Sequence, residues 1–139
     1  MTGPILGVDW GERRIGLAIS DESRTIARPL ATLTRRPGKR FPMRALLDHC
    51  AAHRVAGVVV GLPLDPEGAE GEAAGAARDL AAAIERRAGL PVTLWDERLT
   101  TARALRTVRE LGGTTRGRKD DVDALAAAIL LQQYLDAGR

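Results

Sequence analysis

Three acids stand in this chain where solubility alone does not explain them. Asp9 closes an apolar run, Glu97 follows another, and Asp123 opens an alanine- and leucine-rich segment. Hard divalent cations such as Mg²⁺ take oxygen ligands, keep several waters and share the oxygens of substrate phosphates, so a few carboxylates from separate elements suffice to hold them. Two such ions about 3.5–4 Å apart can clamp the attacking and leaving oxygens of an in-line displacement at phosphorus. Each acid also has an ordinary reading. Asp9 could cap a turn. Asp123, like Asp120 and Asp121 before it, could meet the positive end of a helix macrodipole. Glu97 could pair with Arg98 or support a helix start near Thr100. On the residues alone, both sets of readings stand.

Other chemistries find less support. His49 and His53 lie one helical turn apart, but no Cys or acid pattern nearby completes a metal site, so they read as surface histidines. Cys50 falls on an apolar stripe and reads as core. Ser20 has no adjacent His to activate it. The glycines around Asp9 are not followed by Gly-Lys-Ser/Thr and make no Walker loop.

The elements that must position the acids follow from periodicity. Apolar runs at 5–8 and 15–19 flank a short polar turn and predict an antiparallel hairpin. Alternation puts Leu6, Val8 and Trp10 on one face, with Ile5, Gly7 and Asp9 on the other. Residues 25–34 predict a third strand, which Pro29 consigns to an edge or a bulge. The basic stretch 35–40 is a loop by its Pro-Gly pair. Met43, Leu46, Leu47, Cys50 and Ala51 recur at helical spacing within 42–54, and 55–61 reads as a strand covered on both faces. A loop over 61–68, an alanine-rich helix over 70–88 stopped by Gly89, and a strand over 91–95 follow. A helix from Thr100 or Thr101 to Gly112-Gly113, a basic loop over 114–119 and a last helix over 121–135 complete the chain. The last helix carries Val122, Leu125, Ala126 and Ile129 as a buried stripe, and Ala126 and Ala127, stacked beside Asp123, would let it lie close to a sheet.

With 139 residues and 45% hydrophobic content, the expectation is a single domain over 1–139, an α/β fold around one mixed sheet. A single cysteine excludes an internal disulfide and fits a reducing, cytoplasmic setting. No apolar run reaches the roughly 20 residues of a membrane span, and no signal pattern opens the chain. The net charge of +3 leans towards anionic partners. Arg13 and Arg14 in the hairpin turn, Arg98, and Arg116, Arg118 and Lys119 ahead of Asp123 are the basic groups placed to hold phosphates around an acidic centre. With 3% aromatic residues, Trp10 and Trp95 read as core rather than as base-stacking groups.

Four segments in order, GVDWGERRIGLAISD (7–21), VGLPLDPEG (60–68), DERLTT (96–101) and VDALAAAILLQQYL (122–135), resemble the bacterial YqgF/RuvX family of pre-16S rRNA nucleases and Holliday-junction-resolvase-like proteins. The resemblance covers nearly the whole chain. It implies a ribonuclease H-like fold, with a five-stranded mixed sheet flanked by helices. The family's acidic positions match Asp9, Glu97 and Asp123, which would be both the catalytic residues and the ligands of two Mg²⁺ or Mn²⁺ ions. Asp65-Pro66-Glu67 departs from the family's Asn, apolar residue, Asp, and Asp120-Asp121 stand where basic residues are common. The implied activity is phosphodiester hydrolysis in 5′-end processing of pre-16S rRNA, with pre-ribosomal particles as partners. Branched DNA is the alternative substrate, and paired cuts there would call for a two-fold homodimer. Two other classes remain beside it: a non-catalytic RNA-binding assembly factor, and one half of a sugar-kinase- or actin-like ATPase. The second needs two such domains, more than 139 residues supply.

Overall fold

Runs of β-branched and aliphatic residues build the centre of the sheet. The structure, a computed structural model, describes residues 3–11, 13–35, 40–63, 67–96 and 119–138, with the backbone alone of 119–121. Strand β1 (Ile5–Asp9) is buried along its whole length. It pairs antiparallel with β2 (Arg14–Ser20), which pairs antiparallel with β3 (Ala27–Thr34). On its other side β1 pairs parallel with β4 (Gly57–Leu62), and β4 pairs parallel with β5 (Val92–Asp96). The order β3-β2-β1-β4-β5 is the expected five-stranded mixed sheet. Pro29 lies on the edge strand beside a bulge between Leu17 and Ala18, where a missing N–H costs least.

Helices α1 (Met43–Ala52) and α2 (Glu72–Ala88) cover one face. Leu46, Cys50, Ala77, Leu80 and Ile84 join Leu6, Val8, Val58 and Val60 in the larger core cluster there. Helix α3 (Lys119–Ala137) covers the other face, where Ala127, Ala128, Leu131 and Leu135 pack with Ile5, Ala18 and Val59. The division of β1 side chains between the faces follows the strand's alternation. Gly89 ends α2 in the left-handed conformation.

Several boundaries and faces differ from the sequence reading. Strand β3 starts at Ala27, because Asp21 Oδ1 accepts the N–H groups of Thr25 (2.7 Å) and Ile26 (3.0 Å) and folds them into a turn. Leu62, expected in a loop, extends β4 beyond Gly61 and pairs with Asp96. Ala51 is exposed, and Leu125, expected on the buried stripe, is 43% exposed. Residues 122–135 are apolar on so many sides that periodicity alone does not select the buried face. The close fit to the sheet selects it. The helix expected over 100–112, most of the loop over 114–119 and the middle of the 35–40 and 61–68 loops lie outside the described residues.

Candidate metal centre and nucleic-acid edge

Asp9 ends β1 on the face that α3 covers, and its register partner across the β1–β2 ladder is Gly16. Directly opposed residues of an antiparallel pair have Cα atoms about 4.5–5.5 Å apart. Gly16 in turn forms the seat of α3: a Cβ there would overlap the carbonyl oxygen of Asp123 and stand 2.5 Å from its carbonyl carbon. One turn further along the helix, a Cβ on Gly7 would meet Leu131 Cβ at 2.9 Å and the Ala127 carbonyl oxygen at 3.4 Å. The two glycines therefore let the helix backbone lie directly on the sheet. The consequence is that Asp123 is set down beside the residue that faces Asp9. Gln132 holds the register of this packing, its Oε1 accepting the Ala27 N–H at 2.8 Å and its Nε2 donating to the Thr25 carbonyl at 3.0 Å.

Asp9 and Asp123 are each only 3% exposed. Two carboxylates buried at one corner cost free energy unless their charge is compensated. Both make other contacts, yet Asp123 Oδ2 is closed to solvent and accepts no hydrogen bond. An oxygen-rich, incompletely satisfied acidic corner fits a hard divalent cation, which needs few protein ligands when water and phosphate oxygens complete its shell. Glu97, the third predicted ligand, lies outside the described residues, and among the described residues no group of three His, Cys, Asp or Glu side chains is placed to hold a metal.

The basic residues divide similarly. Arg13 is exposed in the β1–β2 connection, and Arg14, half-buried, begins β2 at the end of the ladder that Asp9 occupies. Arg98, Arg116 and Arg118 lie outside the described residues, as does the side chain of Lys119, whose backbone opens α3. Two features escaped the sequence reading. Asp96 stands half-buried at the carboxyl end of β5, on the same edge of the parallel strands as Asp9, because β4 runs longer than its apolar run suggested. Trp10 packs half-buried against the larger core cluster, with the Phe41 ring stacked 5.5 Å away and the Arg35 guanidinium 5.4 Å from the ring centre, contacts that the sequence reading did not foresee. No periodicity signals a contact between Trp10 and residues more than twenty positions away.

The residues set aside earlier have structural duties. Ser20 Oγ accepts the Ile5 N–H at 2.8 Å and donates to the Asp21 carbonyl at 2.9 Å. Burial pushes the Cys50 thiol pKa up, away from the thiolate a nucleophile needs. The His49 and His53 rings stack on each other, 6.2 Å between centres.

Comparison with known proteins joins this geometry to a family. A family model described as RuvX, Holliday junction resolvase, matches residues 3–137. A protein of Anaeromyxobacter dehalogenans named "Putative pre-16S rRNA nuclease" is 43% identical over 131 residues, covering 94% of this chain and 95% of its own. One of the same name from Lachnospira eligens is 38% identical over 135 residues, covering 96% of each. Among solved structures, Thermus thermophilus RuvC in complex with a Holliday junction substrate superposes with a TM-score of 0.59 at 21% identity, over 98% of this chain and 95% of that one. Fowlpox virus resolvase in complex with Holliday junction DNA gives 0.58 at 12% identity, over 99% and 98%. At these identities the structures speak for the fold, which is ribonuclease H-like.

Proposed function

The chain belongs to the RuvX family, and from that premise we propose that it is a divalent-metal-dependent endonuclease acting in 5′-end processing of pre-16S rRNA. The observation that carries the reading is the seating of the Asp123 turn on Gly16, opposite Asp9, which buries two acids at one corner of the sheet. Asp9 and Asp123, with Glu97 following β5, would hold Mg²⁺ or Mn²⁺ in a two-ion arrangement. Bound there, the cations supply Lewis-acid stabilisation of charge on the phosphoryl oxygens and lower the pKa of water.

The chain's own residues do the rest. Asp9 and Asp123 fix the position of the reacting phosphate through rigid elements, a central strand and a helix that cannot shift without leaving its glycine seat. Arg13 and Arg14 border that corner and neutralise the phosphates beside the scissile one, a contact that positions a strand without reading its sequence. Arg98, Arg116, Arg118 and Lys119 are proposed to extend this basic border. Pre-ribosomal particles in the cytoplasm are the partners that an rRNA substrate entails. Among the described residues no helix is long and apolar enough to cross a membrane.

Branched DNA is the second reading, favoured by the description of the matching family model. The test uses purified wild-type and Asp9→Asn protein with labelled precursor RNA and four-way DNA junctions, under Mg²⁺, Mn²⁺ and EDTA. RNA cutting that needs metal and is lost in the variant is the expected result. Paired symmetric cuts in the junction by a two-fold dimer would transfer the function to branched DNA. Binding without cutting under every metal would overturn the enzymatic proposal.

A further inference from the structure

Trp10 directly follows Asp9 and, by the alternation of the strand, projects to the opposite face of the sheet. There it meets Phe41, whose ring lies 5.5 Å away at an interplanar angle of 28°, and the Arg35 guanidinium, 5.4 Å from the indole centre. Phe41 precedes α1, and Arg35 follows β3 with its N–H donated to the Arg13 carbonyl at 2.7 Å. Three separate parts of the chain thus converge on one indole. Trp10 and Phe41 are two of only four aromatic residues in the chain. Both pack against the large core cluster, and both remain part-exposed, as does Arg35. The buried members of that cluster are all non-aromatic, so the two rings stand together at its part-exposed margin. Arg13, whose carbonyl accepts the Arg35 N–H, and Arg40, which precedes Phe41, are both exposed and add positive charge that suits a polyanion.

We propose that Trp10, Phe41 and Arg35 form a stacking platform for an unpaired nucleobase of the bound strand, one or two nucleotides from the phosphate held at Asp9 and Asp123. The placement of the strand rests on the nuclease reading above. Adjacent Cα atoms are about 3.8 Å apart, so a strand crossing the end of β1 presents a phosphate to one face and a neighbouring base to the other. Indole and guanidinium planes both stack on any base, and a guanidinium over the indole adds a cation–π layer. Such a platform tolerates any sequence but requires an unstacked base. It would therefore favour single-stranded or frayed segments over continuous duplex.

The test is equilibrium binding by fluorescence anisotropy, with the full chain and Ca²⁺ as the only divalent ion. The probes are a labelled 12-nucleotide single-stranded RNA and a series of the same RNA with one abasic position walked along it. Trp10→Leu keeps an apolar side chain at the margin of the core and removes the stacking plane. It is expected to bind the intact RNA about 5- to 100-fold more weakly, the scale of one base–aromatic stack. Wild-type protein should show a matching loss at one abasic position, and at that position Trp10→Leu should lose nothing more. Trp10→Phe and Arg35→Lys, which fold with least disturbance, should retain and lose part of the effect respectively. Equal weakening of every RNA by Trp10→Leu, or no weakening of any, would overturn the platform. If Asp9→Asn cuts RNA as well as wild type while the abasic coupling holds, the nuclease site is misassigned and the platform stands. If wild-type protein binds no strand, both fall.

Discussion

Asp21 and Asp9 lie at opposite ends of the β1–β2 ladder, and their surroundings treat the two carboxylates in opposite ways. Asp21 is exposed. Its Oδ2 accepts the Ser23 hydroxyl at 2.6 Å, and its Oδ1 accepts the N–H groups of Thr25 and Ile26. These bonds, the Ser23 hydroxyl foremost, favour the charged form and draw its pKa from 3.8 down to about 2. Asp9 is buried, facing a glycine seat on which a second buried acid, Asp123, has been set. One carboxylate organises a turn at the surface, where its hydrogen bonds outweigh its desolvation. The other is buried opposite the helix turn that carries a second buried acid, and burial of a carboxylate costs free energy unless its charge is compensated. The difference separates an acid that organises a turn from the acids we propose to hold a cation.

The largest expected break in this contrast is Gly16→Val. The clash is with helix backbone rather than a movable side chain, so α3 must lift from the sheet. A loss of about 3 kcal/mol in urea unfolding is expected, at the upper end of ordinary overpacking, together with loss of cleavage. Unchanged stability would mean that the helix has another seat. Next in size, Asp21→Asn should destabilise the protein, because an amide accepts the Ser23 hydroxyl and the Thr25 and Ile26 N–H groups less strongly than a carboxylate does. Thermal melts read the loss.

The smallest effect is a pH dependence at Asp21 alone. Its folded pKa lies below the ordinary 3.8, so its contribution to stability is fully present above about pH 4 and is lost as pH falls through about 2. The difference in unfolding free energy between wild type and Asp21→Asn should therefore shrink across that window. A difference that stays constant would show that the turn does not depend on the charge.

Much of the fold was legible because strands and helices declare themselves by period. The alternation in 5–10 assigned Asp9 and Leu6 to opposite faces, and Pro29 marked an edge strand. What stayed hidden depends on contacts distant in sequence. Gly16 reads as an ordinary gap in an apolar run, and only the pairing with Asp9 and the arrival of α3 give it a function. Leu125 was assigned to the wrong face because alanines surround the helix and blur its stripe. The contacts of Trp10 stayed hidden because nothing in its sequence neighbourhood announces Phe41 or Arg35. The acids themselves were legible as types, while the glycine seat that sets the Asp123 turn opposite Asp9 was not.

The most direct test of the central claim is Mn²⁺ binding by isothermal titration calorimetry to wild type, Asp9→Asn, Asp123→Asn and Asp21→Asn. Wild type and Asp21→Asn should bind Mn²⁺ alike, with binding at least tenfold weaker in the other two, a loss of about 1.4 kcal/mol or more. Undiminished binding in Asp123→Asn would contradict the account, because the acid that α3 sets beside Gly16 would then have no part in holding the cation.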